Sequence, residues 1–468
     1  ARGASSRATR SFQRLWRNRI RIGFLQHQPL QFGSHVLPQI CVPKNRRRRK
    51  KISYRLIPLL FILYLMANID RVNVGIAQLQ MKSALGFTDA VYGIGAGIFF
   101  LSYALFVLPN SFVMTRLGAL KTIMIVTIGW GCVSTLTMFV RTPSAFYTLR
   151  FLLGVFEAGF YPTVVYYLSR WYPLERRSTA FSLFSSGIVI SGILAYPLSG
   201  AILKFMHDVG GLSGWQWMFP LEGLPCAVLG LLVPMLLDES PEAADWLSTR
   251  EKTMIAAMLE AEAPASEGQT FAQILRNPRL YALMAVYFSF AAAISVLQFW
   301  TPTIIRSLGV TDVALIGLYS AIPSAVSLIA MITIGVHTDR TRRLRESIVA
   351  LAMVGAAALC LLPLASASLV LSLVLLSVAM AAQLTFIPLF WVSVPACLPG
   401  PGTANAIAAV ATVGLLGGVL SPTSIGWLKT HTGSMSIGIY IFGALFAAGG
   451  LLYARTTRRV VNLRPRKV

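Results

Sequence analysis

Five charged side chains stand inside long apolar runs: Asp70, Arg71, Arg150, Glu157 and Glu222. A charge at the centre of a bilayer costs about 2.5–3.5 kcal/mol even on the mildest scale, so each needs a partner or a task. Asp70 and Arg71 are adjacent and point to neighbouring faces of one helix. Arg150 and Glu157 are seven residues apart, two turns, and share one face of another. An arginine grips a carboxylate with two parallel bonds and keeps its charge. A carboxyl group in a partly dry cavity can take up a proton and release it within a cycle. The set therefore fits an anion-binding arginine beside proton-accepting carboxylates. The competing reading is that these residues form ion pairs that only fasten helices. Two such pairs in one half of the chain, with no charge in the span cores of the other half, favour the functional reading. Glu222 follows Trp215 and Trp217 near the start of its run, and reads equally well as an interfacial or helix-end residue.

Uncharged polar residues could line the rest of a cavity. Tyr103 could donate a hydrogen bond into it from the second run, and Trp391 is the chosen candidate in the second half. Gln298, Gln383, Asn405 and Thr412 are further candidates, each more often a helix-packing group than a ligand. The five cysteines, Cys41, Cys132, Cys226, Cys360 and Cys397, form no CxxC and read as apolar filler. The histidines show no metal-binding spacing. There is no GxSxG and no phosphate loop, and Gly93–Gly97 lies at lipid depth with no strand before it. Neither an enzyme nor a bound cofactor or metal is expected; an ion gradient would drive the work. The residues leave H⁺ and Na⁺ both open.

The elements that position these residues follow from composition. Of 468 residues, 55% are apolar and only 12% charged, which excludes one large soluble domain. Twelve apolar runs are long enough to cross a bilayer: 56–78, 91–113, 120–140, 144–168, 178–203, 216–237, 280–305, 313–336, 347–365, 368–393, 403–428 and 435–454. Lipid leaves no water for free backbone groups, so each run predicts a helix. The fold class is all-α integral membrane, twelve spans in two pseudo-symmetric six-helix halves. The halves are 56–237 and 280–455, joined by a polar loop, 238–279, with a surface helix expected over 242–263. Thr115-Arg116-Leu117-Gly118 after the second span echoes Asp339-Arg340-Thr341-Arg342 after the eighth, an internal repeat common in secondary transporters.

Net charge is +24, from 41 Lys and Arg against 17 Asp and Glu. Residues 1–55 hold 15 of the basic residues and no acidic one. This basic head reads as a disordered tail, with a transit peptide or a lipid-binding polybasic patch as alternatives. The chain opens on Ala1 rather than Met, which leaves a fragment, a processed product or a misplaced start open. A basic tail, 456–468, closes it. With both ends placed inside, the inner segments hold 34 basic residues and the outer loops five; without the head the ratio is 19 to 5. The positive-inside rule then puts both termini in the cytoplasm. A nucleic-acid binder would spread its charge over a folded face, so no nucleic-acid partner is expected. The expected partners are the lipid bilayer and a small organic anion, and the expected state is a monomer.

The stretch Asp70-Arg71-Val72-Asn73-Val74-Gly75 resembles the anion:cation symporters of the major facilitator superfamily. So do Leu149 to Pro162, Gly214-Trp215-Gln216-Trp217 with Glu222-Gly223-Leu224-Pro225, Phe299-Trp300-Thr301-Pro302 and Gly426-Trp427-Leu428-Lys429. The likeness covers about residues 50–455. It includes bacterial tartrate, phthalate and sugar-acid transporters, tartrate transporters above all, and so suggests the bacterial inner membrane. It implies proton-coupled symport of a small organic anion by alternating access. Arg71 and Tyr103 would bind substrate, Asp70 and Glu157 would couple protons, and Arg150 would support them. Arg116, Asp339 and Arg340 match the family's gating loops. Ser111 and Thr115 replace a glycine and an acid there, and Arg342 replaces a second glycine. Ala411, Leu415 and Ser295 also depart from the pattern. Thr115 keeps a second reading in play, a sensor derived from a transporter that no longer transports.

Overall fold

The computed structural model describes residues 46–172, 174–260, 273, 275–398 and 403–457. The greater part of the predicted head, 1–45, and most of the predicted tail, 458–468, lie outside these residues.

Twelve helices among the described residues are long and apolar enough to span a membrane. They are α1 (Lys51–Leu85), α2 (Asp89–Leu117), α3 (Ala119–Phe139), α4 (Pro143–Ser169), α5 (Ala180–Phe205) and α6 (Gly214–Leu236). The second six are α7 (Pro278–Ser307), α8 (Val313–Thr341), α9 (Leu344–Ala365), α10 (Leu369–Cys397), α11 (Asn405–Thr432) and α12 (Ser436–Thr456). All twelve predicted runs are helices. Their starts carry the residues that satisfy free backbone donors. Thr88 caps α2, Thr142 caps α4 ahead of Pro143, Asn277 caps α7 ahead of Pro278, and Ser368 caps α10.

The packing repeats between the two sets of six. Helix α2 packs on α4 as α8 packs on α10, and α3 packs on α6 as α9 packs on α12. Across the halves, α2 packs on α11 as α5 packs on α8. Glycines allow these crossings. A Cβ on Gly93 would lie 2.3 Å from the Pro422 carbonyl oxygen, and one on Gly317 2.3 Å from that of Tyr196. The Gly93–Gly97 stretch is thus a helix-packing face.

Hydrogen bonds and ion pairs join the halves on the side of the α1–α2 loop. Gln78 Nε2 donates to Thr303 Oγ1 at 2.8 Å, and Tyr92 and Tyr196 hydroxyls donate to the carbonyls of Phe299 and Gln298. Arg306 donates to the Leu79 carbonyl at 2.6 Å. Asp89 lies 3.3 Å from Lys429, and Lys204 pairs with Asp312. The molecule is clasped on this side.

Two details differ from the sequence reading. The loop helix expected over 242–263 is Thr249–Glu260, with residues 261–272 outside the described set. It starts late because Ser248 and Glu251 form reciprocal capping bonds, Ser248 N to Glu251 Oε2 at 3.0 Å and Glu251 N to Ser248 Oγ at 3.4 Å. Helix α4 is not continuous. It breaks into Pro143–Glu157 and Phe160–Ser169, because Pro162 has no N–H to give the Ala158 carbonyl.

Candidate functional site

The break in α4 falls directly after Glu157, so this carboxylate ends a helical segment in the interior. It is 1% exposed. Arg71 Nε donates to Glu157 Oε2 at 2.8 Å. The arginine side chain is 24% exposed and its partner wholly buried, so the pair has a wet side and a dry side. The guanidinium carbon lies 5.0 Å from the Tyr103 ring centre and 5.6 Å from that of Phe99. A ring face attracts a cation and holds it in place. Arg71 also lines a cavity between the halves, with Asn68, Ser191, Tyr196, Gln298 and Ser324 among its walls.

The structure thus brings Arg71, Tyr103 and Glu157 together, with Gln298 on the same cavity. Arg150 lies behind them, 3% exposed, its guanidinium 4.8 Å from the Phe99 ring centre and Nε donating to the Gly95 carbonyl at 3.4 Å. Among the described residues its Nη2 has no hydrogen-bond partner, and neither does Glu157 Oε1. Arg150 and Glu157 share a face as their spacing predicts, but Glu157 bonds to Arg71 instead. Asp70 turns the other way, as adjacency on a helix requires. It accepts hydrogen bonds from Ser134 Oγ at 2.7 Å and Asn73 Nδ2 at 3.2 Å.

Glu222 is not interfacial. It lies well inside α6, 3% exposed, and accepts from Asn73 at 2.9 Å and Ser199 at 2.7 Å. The tryptophans before it mark the helix start; the helix carries Glu222 two turns deeper. Sequence reasoning missed Asn73 and Ser199 as its companions, and Ser134 as that of Asp70. The signal was present in Asn73, three residues from Asp70 and so on the same side of the helix.

Trp391 is half-buried in α10, its ring 4.8 Å from that of Tyr287. Gln383 is fully buried with neither amide atom bonded. Asn405 and Thr412 are exposed on α11. Arg116, Asp339 and Arg340 are exposed at the ends of α2 and α8. The equivalent residues that follow, Gly118 and Arg342, both have positive φ, 85° and 57°. Gly118 has no Cβ to crowd Glu239, whose carboxylate accepts from Ala119 N at 3.0 Å and Leu120 N at 3.1 Å. Arg342 takes a left-handed turn, φ 57° and ψ 26°, with a side chain, whereas Gly118 has ψ 163°. No group of three metal-ligating side chains occurs among the described residues.

The sequence model of one family, described as Major Facilitator Superfamily, matches residues 60–422. The chain belongs to the major facilitator superfamily. It is similar to a protein of Agrobacterium vitis provisionally named a tartrate transporter, 37% identical over 89% of this chain and 93% of that one. A Pseudomonas putida protein provisionally named the metabolite transport protein NicT is 39% identical over 88% and 95%. Among solved structures, a D-xylose-proton symporter matches with a TM-score of 0.69 at 15% identity, over 86% of this chain and 97% of that one. Superfamily membership, these relatives and the twelve spans establish a multi-pass membrane transporter of a small molecule, not an enzyme.

Proposed function

We propose that this transporter carries a small organic anion, tartrate or a related hydroxy, sugar or aromatic acid, together with protons. The observation that supports the reading most is the pair of Arg71, partly exposed, and Glu157, buried. One side of the guanidinium is held by a buried carboxylate, and the residue also lines a cavity between the halves that carries a few polar groups on mainly apolar walls. An entering carboxylate competes with Glu157 for the same arginine, and the anion's charge replaces that of Glu157. Glu157 then loses its counter-charge in a dry place, where an unpaired charge is costly, and takes up a proton instead. Anion binding and proton binding become one event. Tyr103 stacks on Arg71 and fixes its plane. Arg150 keeps the field around Glu157 positive. Asp70 serves as a second proton site behind the arginine.

Alternating access needs two clasps that are never open together. Here the α1–α2 side is closed. With both termini in the cytoplasm of a bacterial inner membrane, as the charge bias suggests, this is a carrier facing inward. Arg116, Asp339 and Arg340 at the far ends of α2 and α8 would close the inner side. We take the working unit to be the monomer, because the cavity is completed within one chain. Proteoliposomes loaded with tartrate and diluted into labelled tartrate test the reading, followed by sugar acids, phthalate and hydroxyphenylacetate. Exchange of at least one anion, with accumulation when the outside is acid, is expected. Exchange of none would favour a sensor that has lost transport.

A further inference from the structure

Asn73 divides one amide between two carboxylates on different helices. Nδ2 donates to Asp70 Oδ1 at 3.2 Å and to Glu222 Oε2 at 2.9 Å. Ser134 on α3 and Ser199 on α5 supply one hydroxyl bond each, to Asp70 Oδ1 and Glu222 Oε1 at 2.7 Å. Both oxygens of Glu222 are therefore occupied as acceptors, the pattern of an ionised carboxylate. Asp70 differs. Oδ1 receives two donors, while Oδ2 is buried and receives none. Asn73 Oδ1, one turn along the same helix, is a buried acceptor without a donor. Among the described residues no donor reaches Asp70 Oδ2, so this oxygen is free to carry a proton of its own.

Charge counting points the same way. The groups that face Asp70 electrostatically are Glu157 and Arg150 from α4 and Glu222 from α6. Helix α3 presents only the Ser134 hydroxyl, α5 presents Ser199 to Glu222, and Cys226 lies one turn beyond Glu222. Arg71 is committed to Glu157. That leaves Arg150 as the single cation for two carboxylates, and a dry interior does not hold the surplus charge.

We propose that Glu222 is a positioning residue for the proton on Asp70. Ionised and held by Asn73 and Ser199, its negative charge keeps Asp70 protonated at Oδ2 in the empty carrier. Loss of that proton would leave two negative groups bridged by one neutral amide. Release therefore waits for a rearrangement around Asp70. This inference rests on the proton-coupled reading above and adds to it the residue that sets when Asp70 lets go.

Glu222→Gln removes the charge and keeps the shape and the bond from Ser199. The pH at which tartrate accumulation is half-maximal should fall by about one pH unit or more, the size of a charge effect at this range. Glu222→Asp, which keeps the charge, should stay near wild type. Ser199→Ala should give a smaller shift in the same direction, and serves if Glu222→Gln does not reach the membrane. In an Asp70→Asn background, Glu222→Gln should move nothing further. Infrared difference spectra of the purified full-length protein between acid and alkaline pH need no substrate. They should show a carboxylic-acid carbonyl band that Asp70→Asn abolishes and Glu222→Gln displaces toward acid. Wild-type pH behaviour of that band in both Glu222→Gln and Ser199→Ala would overturn the proposal. Failure of the wild type to exchange any anion would count against the transport reading instead, and the infrared result would still decide this one.

Discussion

Arg71 Nε donates to Glu157 Oε2 at 2.8 Å while Oε1 of the same carboxylate is buried without a partner. A carboxylate gripped on both oxygens would be a fastener. One gripped on a single oxygen, at the end of a broken helix, can be exchanged for another anion at small geometric cost.

The clasp on the α1–α2 side should govern which way the carrier faces. Asp89 is shared between Lys82 at 2.7 Å and Lys429 at 3.3 Å, so it ties α2 to α11. Asp89→Asn should populate the opposite state. Single cysteines placed along the inner face of α7 would then react faster with a membrane-impermeant thiol reagent added from that side. Unchanged labelling rates would show that apolar contacts alone hold the clasp.

The second tie is pH-sensitive. The hydrogen bond and charge of Lys204 hold the Asp312 carboxyl below the usual aspartate range, while the bonds to α8 backbone amides act the same way. A lowered value in the folded state means a contribution that is complete above the ordinary aspartate value near 3.9 and fades as pH falls through the lowered one. Acidification below about pH 4 should loosen the α5–α8 crossing. Asp312→Asn should labelled-thiol tests show loose at every pH; a variant that still tightens between acid and neutral pH would place the titrating group elsewhere.

Arg342 occupies a left-handed turn, φ 57°, where its counterpart in the first half is a glycine. A side chain there costs about 1 kcal/mol. Arg342→Gly should therefore raise thermal stability by a degree or a few, on the order expected for such a change in a chain this long. Equal or lower stability would mean that the Arg342 side chain makes a compensating bond.

Much of this was legible in sequence because lipid permits few solutions. Twelve apolar runs had to be helices, and the charged residues inside them had to be special. What escaped was pairing. The spacing of Arg150 and Glu157 puts them on one face but does not say which partner each takes; Glu157 takes Arg71 on α1. Glu222 was placed too near the surface because its flanking tryptophans look like an interfacial belt; only packing against α1 and α5 shows it bonded to Asn73 and Ser199. Tyr287, the ring against Trp391, carries no sequence signal beyond being a tyrosine in an apolar helix. Trp391 packs on the rings of Tyr287 and Phe390.

The closing test is a comparison of two variants in proteoliposomes with tartrate, or whichever anion of the panel exchanges. Arg71→Lys keeps the charge and loses the planar fork, so the anion concentration for half-maximal exchange should rise at least tenfold. Glu157→Gln mimics the protonated acid, so it should still exchange anion across the membrane but fail to concentrate it when the outside is made acid. If Arg71 and Glu157 only fasten α1 to α4, both variants would instead lower the amount of folded protein, with exchange and accumulation falling together. Accumulation by Glu157→Gln with the wild-type pH dependence would contradict the account directly.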